Sequence, residues 1–411
     1  MQEKNLDFDK IIDRKNTDCL KYDFAVRRGK PADVLPLWVA DMDFQTSGLI
    51  LDALQQKVTH GIFGYTETGE AYFEAVASWM KAQHDLEIRP EWLVKTPGVV
   101  FALAMAVKAY THEKDAVLIQ QPVYYPFKEV IEDNDRVVVS NDLVLSEDGV
   151  YQIDFADLEA KIVAHHVKLF FLCSPHNPVG RVWNVEELKR IAALCVKYHV
   201  IVVSDEIHQD FVYDGYTHTP LLNVDERIAE WCITCTSPAK TFNLAGLQIS
   251  NIFIPNRNLR HAFRRQIAAA GYSQLNTMGL AACEAAYRYG GEWYAALRRY
   301  LQGNLDFVRE YVAKELPGVR MIEPEGTYLV WLDFRGLGLC ERELEDLIVN
   351  QAKLWLDSGA IFGKVGEGFE RINIATQRSV LQEAFERIRR AIAEKTAVES
   401  TVDITDGGGK R

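Results

Sequence analysis

Lys240 sits in the run Cys232-Ile-Thr-Cys-Thr-Ser237-Pro-Ala-Lys240-Thr-Phe-Asn243-Leu-Ala-Gly246. An apolar, β-branched stretch ends there in Thr236-Ser237-Pro238, so a buried strand opens into a tight loop. The loop presents one lysine among small and hydroxyl residues. Desolvation depresses an amine's pKa and makes it a nucleophile. Such an amine suits a Schiff base with a carbonyl cofactor such as pyridoxal phosphate.

Three more polar features stand where apolar runs stop. Asp205 follows Val200-Ile-Val-Val-Ser204. Its ordinary role is a helix cap or a partnered polar group. Its chemical role is to keep a pyridine nitrogen protonated, so that the ring can accept electrons. Asn177 lies in Ser174-Pro-His-Asn177-Pro-Val-Gly180, after Lys168-Leu-Phe-Phe-Leu-Cys173. Two prolines and a glycine make that turn rigid. A rigid turn can hold one amide against a ring oxygen, and a cis Asn177–Pro178 bond would suit it. Thr96-Pro-Gly98-Val99-Val100-Phe101 is a glycine turn opening a helix. Free N–H groups and the helix dipole at such a junction can hold a phosphate.

These residues need a scaffold that brings strand ends together. Short apolar runs at 116–120, 137–140, 169–173, 200–204, 232–236 and 249–254 alternate with helical patterns at 100–110, 125–133, 157–165 and 186–198. That alternation predicts a largely parallel α/β sheet covered on both faces. In such sheets ligands bind outside the carboxyl ends of the strands. Asp154-Phe-Ala-Asp157 reads as a helix start. A helical region follows residue 259 to about 313, broken at Gly290-Gly291. A second β/α pattern then occupies 328–334, 341–351, 371–375 and 380–394.

With 411 residues, two domains are expected. The net charge of −12 argues against nucleic-acid or anionic-membrane partners. No opening basic-then-apolar stretch and no bilayer-length apolar window is present, which predicts a cytoplasmic protein. Seven cysteines in apolar contexts read as reduced thiols. Cys232 and Cys235 lie three apart on a strand and so face opposite ways, and no second pair stands at zinc spacing; no metal is expected.

In its ordered set of phosphate turn, Asn, Asp and Lys the chain resembles fold-type I pyridoxal-phosphate enzymes of the aspartate aminotransferase superfamily. Within them it is most similar to the MalY/PatB-type C–S lyases. The specific pieces are Leu37-Trp38-Val39-Ala40-Asp41-Met42-Asp43-Phe44, Ser204-Asp205-Glu206-Ile207-His208, and Lys240-Thr-Phe-Asn-Leu-Ala-Gly246. The resemblance runs from Phe8 to about residue 394.

It implies a large domain, residues 48–290, with a mostly parallel seven-stranded sheet. It implies a smaller α/β domain built from both termini, residues 1–47 and 291–396; residues 397–411 read as a disordered tail. It gives Lys240 the roles of cofactor anchor and proton carrier. It pairs Asp205 with the ring nitrogen and Asn177 with the ring oxygen, and stacks Tyr124 on the ring, with Tyr125 as the alternative. His208 stands near the ring oxygen, where many relatives have tyrosine, and takes no catalytic role. Ser237 and the amides of Val99 and Val100 would hold the phosphate. Tyr65 would reach the phosphate of a neighbouring subunit, which implies a homodimer. Arg371 would grip the substrate carboxylate bidentately, with Trp38 also on the substrate side.

Gln248 stands where many aminotransferases carry a phosphate-binding arginine, which agrees with the lyase subgroup. The implied reaction is α,β-elimination from L-cystathionine, other S-substituted cysteines or cysteine, giving a thiol, pyruvate and ammonia. The alternatives are an aminotransferase and a lyase that doubles as a regulatory protein-binding module. Serine acyl transfer is rejected: Ser237-x-x-Lys240 is not followed by Ser-Asp-Asn and Lys-Thr-Gly.

Overall fold

A computed structural model describes residues 6–406 and divides the chain into two units. Unit 1 holds residues 6–7, Gln45–Arg299 and Glu323–Thr327; unit 2 holds Phe8–Phe44, Tyr300–Ile322 and the chain from Tyr328 on. The expected boundaries at 47 and 290 compare with divisions after Phe44 and Arg299. The return of residues 323–327 to unit 1 has no counterpart in the sequence pattern.

Unit 1 is built on a seven-stranded sheet. Its strands are β1 (Leu93–Thr96), β2 (Ala116–Ile119), β3 (Val137–Ser140), β4 (Leu169–Cys173), β5 (Ile201–Asp205), β6 (Cys232–Thr236) and β7 (Ser250–Phe253), in the order β1-β7-β6-β5-β4-β2-β3. Strand β7 is antiparallel to both β6 and β1, and every other neighbouring pair is parallel. Six strands therefore point the same way, and their carboxyl ends share one edge. Every residue of β2, β4, β6 and β7 is buried. Their unbroken apolar character follows from burial on both faces.

The helices of unit 1 are α1 (Gly48–His60), α2 (Glu70–His84), α3 (Val99–Tyr110), α4 (Pro126–Glu132), α5 (Phe155–Ala164), α6 (Val185–Tyr198), the one-turn α7 (Pro238–Thr241), α8 (Arg257–Ala269) and α9 (Thr277–Tyr289). Helix α5 starts where the acidic signature placed it, with the Asp154 carboxylate accepting the N–H groups of Ala156 and Asp157 at 3.0 Å each. Asn184 and Glu187 cap α6 reciprocally. Leu103, Val107, Phe127, Phe171, Val203 and Ile252 belong to one buried core. Burying each such side chain contributes roughly 1.5–3 kcal/mol.

Helix α10 (Gly291–Glu315) begins in unit 1 and ends in unit 2. Unit 2 has a four-stranded antiparallel sheet of β8 (Arg320–Ile322), β9 (Leu329–Asp333), β10 (Asp357–Ser358) and β11 (Phe369–Asn373), ordered β8-β9-β11-β10. The N-terminal segment joins this unit through Leu35–Pro36, which pairs in parallel with Leu354–Trp355. Helix α11 (Arg378–Asp406) closes the unit. The chain past 396, expected as a disordered tail, is helical as far as Asp406, and residues 407–411 lie outside the described residues. Extending an existing helix avoids the cost of nucleating one, which a composition argument overlooks.

Candidate active site at the carboxyl edge of the sheet

The register of the sheet lines up the expected residues. Cys235 of β6 pairs with Asp205 of β5, and Asp205 pairs with Cys173 of β4. Ser237 and Lys240 therefore follow one strand end, Asp205 closes the next, and Asn177 follows the third. Tyr124 follows β2, which pairs with the far side of β4. Adjacent strands lie about 4.8 Å apart, so these four ends are successive neighbours along one edge, where sheets of this kind bind ligands.

Lys240 is half-buried on α7. Asp205 is buried and accepts the Ile207 N–H at 3.2 Å. Burial pushes its carboxyl up to about 7; the Ile207 N–H and the Lys240 charge oppose the rise, and Glu206 adds to it. An anionic carboxylate in that place calls for a cation, and the protonated ring nitrogen of pyridoxal phosphate is one. On this point the residues fit the cofactor.

Asn177 is buried, and the bond to Pro178 is cis. Its carbonyl accepts the Tyr124 N–H at 3.0 Å, which ties the two loops together. Gly180 closes the turn with φ +72°, its N–H donating to His176 O at 2.8 Å. A Cβ at that position would lie 2.8 Å from Pro324 Cβ. Gly180→Ala should cost about 1–3 kcal/mol, because a left-handed backbone and a clash coincide. Urea unfolding checks this, and an unchanged midpoint would refute it.

The phosphate end is mixed. Helix α3 has Gly98 at its N-cap with no side-chain cap, and nothing lies within 4 Å of where a Gly98 Cβ would point. The first N–H groups, at Val99 and Val100, have no partner within the helix, as an anion site requires. The Ser237 hydroxyl is engaged: it donates to Ile249 O at 2.6 Å and accepts the Ala239 N–H at 3.0 Å. It caps α7, a duty not read from the sequence.

Tyr65 makes none of the contacts described for these residues. It is 96% exposed in an irregular segment where Ile62 and Phe63 are also exposed. His208 is buried in the loop that follows Asp205, and its carbonyl accepts the Phe211 N–H at 2.9 Å. Cys232 and Cys235 are buried thiols whose pKa burial pushes up, so neither is a thiolate or half of a disulfide. Among the described residues, no group of His, Cys, Asp or Glu could hold a metal ion.

Arg371 and Trp38 belong to unit 2. Arg371 Nη2 donates to Trp38 O at 2.8 Å and to the Asp357 carboxylate beside it. The segment around Trp38 is laced to the same sheet. Asn373 Nδ2 donates to Val39 O at 2.7 Å and Asp41 O at 2.6 Å, and the Tyr328 hydroxyl to Ala40 O at 3.0 Å. Below it Arg14 and Lys21 pair with Asp41 and Asp43. Burial alone would raise the Asp43 carboxyl, but the two cations hold it below the usual range. The Trp38 ring stacks on Trp355 at 4.3 Å. Its main-chain carbonyl, not its ring, is the part that touches Arg371.

The sequence did not disclose the loop's inner contacts. The Thr241 hydroxyl donates to Asp210, and His218 Nε2 lies 3.1 Å from Glu206. These pairs join distant segments, so no local spacing marks them.

The sheet, the strand-end lysine and the buried carboxylate define the aminotransferase class of α/β enzymes, and the family model "Aminotransferase class I and II" matches residues 32–388. The cystathionine β-lyase PatB of Bacillus subtilis is 42% identical over 388 residues, covering 94% of this chain and 100% of that protein. Protein MalY of Escherichia coli is 34% identical over 388 residues, covering 94% and 98%. Among solved structures, cystalysin from Treponema denticola, which contains pyridoxal 5'-phosphate, superposes with TM-score 0.91 at 38% identity, covering 94% and 99%. The chain belongs to the class I and II aminotransferase family, in the branch that holds PatB and MalY.

Proposed function

We propose that this protein is a pyridoxal-phosphate-dependent carbon–sulfur β-lyase. It cleaves L-cystathionine, and other S-substituted cysteines or cysteine, to a thiol such as homocysteine, pyruvate and ammonia. The observation that carries this reading is the row Lys240, Asp205, Asn177 along one sheet edge, in a chain whose full-length relatives include a cystathionine β-lyase.

When bound, pyridoxal phosphate supplies an electron sink for charge developing at the substrate Cα. Lys240 would hold the cofactor covalently and, once the substrate amine has taken its place on the cofactor, its freed Nζ would accept the Cα proton as general base. Asp205 keeps the ring nitrogen protonated, and the Asn177 amide donates to the ring oxygen. Tyr124 covers the ring face. The amides of Val99 and Val100 hold the phosphate, and Ser237 joins them if its hydroxyl leaves Ile249 O. His208 borders the ring-oxygen side without moving a proton. Arg371 grips the substrate carboxylate, oriented by Asp357 and by the Trp38 carbonyl. Tyr65 serves the phosphate of the neighbouring subunit in a homodimer; its exposure beside Ile62 and Phe63 supports this. The unpaired cysteines support a reducing, cytoplasmic setting. No described helix is long and apolar enough to cross a membrane.

The test is purified protein with L-cystathionine, assayed for pyruvate and free thiol together. Equal amounts of both are expected, and neither product would end the reading. Sedimentation of the same sample as a monomer would remove the shared-site part. The family model and a putative aminotransferase from Clostridium difficile, superposing with TM-score 0.92 at 39% identity, favour a second reading, amino transfer. An added keto acid that diverts product from pyruvate to a new amino acid would select it.

A further inference from the structure

The loop that follows Asp205 is stitched to the Lys240 segment at both ends. At its start the Glu206 N–H donates to Cys235 O at 2.9 Å. At its finish the Asp210 carboxylate accepts the Thr241 hydroxyl, from the residue next to Lys240. Both Asp210 and Thr241 are buried. Helix α7 is a single turn, too short to fix its own rotation about its axis. The direction of the Lys240 side chain therefore depends on what anchors its neighbours.

Asp210 is built as a stiff acceptor. Its second oxygen takes the Trp79 indole N–H at 3.1 Å and lies 2.7 Å from His84 Nε2. Its main-chain carbonyl accepts the Tyr294 hydroxyl. The Trp79 ring packs edge-on against Phe242, two residues past Lys240, at 5.4 Å, and stacks on Tyr287 at 5.5 Å. The Thr46 hydroxyl donates to Phe242 O at 2.7 Å. An aromatic cluster thus immobilises Asp210 on one side, and Asp210 immobilises the lysine turn on the other.

We propose that Asp210 is a positioning residue for Lys240, acting through the Thr241 hydroxyl to fix the turn that carries the amine. The proposal rests on the reading of Lys240 as the cofactor anchor. One short loop then links the strand end that presents the ring-nitrogen carboxylate to the turn that directs the lysine.

Holoenzyme carrying Thr241→Val, which keeps the shape and loses the hydroxyl, tests this against Thr241→Ser, which restores it. The readouts are circular dichroism in the visible cofactor band, kcat and KM. For the valine variant, kcat should fall about 10- to 100-fold, as expected for a lost bond to a carboxylate that misplaces a reacting group. KM should change little, and the dichroic band should change amplitude; the serine variant should keep both near the parent. A valine variant with parental kcat and dichroism, whatever its melting temperature, overturns the proposal. So does a serine variant as impaired as the valine one. If the valine variant does not fold, Thr241→Ala takes its place in the same comparison. Retention of the cofactor band by Lys240→Ala would instead overturn the underlying reading of the lysine.

Discussion

Lys240→Ala should abolish pyruvate release and the visible absorption of lysine-bound cofactor. A positioned proton carrier contributes at most about 10,000-fold on its own, and here the same atom also holds the cofactor, so the loss should reach at least that figure. The fold should survive, because Lys240 is half-buried on a one-turn helix held by Ser237 and Thr241. The substitution also removes the positive charge that opposes the rise of the Asp205 carboxyl. Lys240→Arg separates the two roles. A guanidinium keeps the charge beside Asp205 but stays protonated and cannot accept a proton. The arginine variant should therefore be as inactive as the alanine one. Steady-state assay and an absorption spectrum decide the matter, and an active arginine variant would contradict the assignment.

Asp205→Asn should lower kcat by about 100- to 1,000-fold, the usual loss when one preorganised electrostatic partner is removed. The same substitution should stabilise the cofactor-free protein at neutral and higher pH. Burial holds the Asp205 carboxyl at about 7 in the folded chain, against about 3.9 in an unfolded one. Between those values the folded chain keeps a proton that the unfolded chain has lost, so this group's share of stability falls as pH rises through the window. The asparagine variant has no such dependence. Urea midpoints of the two cofactor-free proteins should coincide near pH 4 and separate toward pH 8, with the variant higher. Coincidence at pH 8 would mean that Asp205 is not destabilising the empty site. A carboxylate that weakens the empty protein and serves the loaded one is a stability–activity compromise.

Much of this site was legible because polar residues interrupt strongly apolar runs. Asp205 ends, and Asn177 and Lys240 each follow, a strand whose residues are buried almost throughout. The largely parallel sheet was legible for the same reason from six apolar runs, whereas its seven-strand count came from the resemblance. Strand β1 escaped because Leu93-Val-Lys-Thr96 is short and alternates between buried and partly exposed positions. The reversal of β7 escaped because direction is not written in an apolar run. The Ser237 hydroxyl could be assigned a polar duty, but whether it serves a helix cap or a phosphate is decided by geometry. The Asp210–Thr241 bond and the hold of Asp357 on Arg371 join residues far apart in the chain, and only folding reveals them. Tyr65 came from the resemblance alone; Gly-Tyr-Thr is otherwise a loop.

The excursion of residues 323–327 back into unit 1 constrains the order of events during synthesis. Glu325 carries the bonds that complete the Asn177 turn: its carboxylate accepts Arg181 Nε at 2.8 Å and the Val182 N–H at 2.7 Å. Its own N–H and that of Gly326 both donate to Gly180 O. A ribosome that has delivered every strand of the large sheet has still not delivered this clasp. The nascent chain must wait for a stretch of unit 2, including all of β8, before the turn can close. Neither unit can be cut out as one continuous fragment, so the gene can exchange or lose these halves only by breaking the turn that presents Asn177.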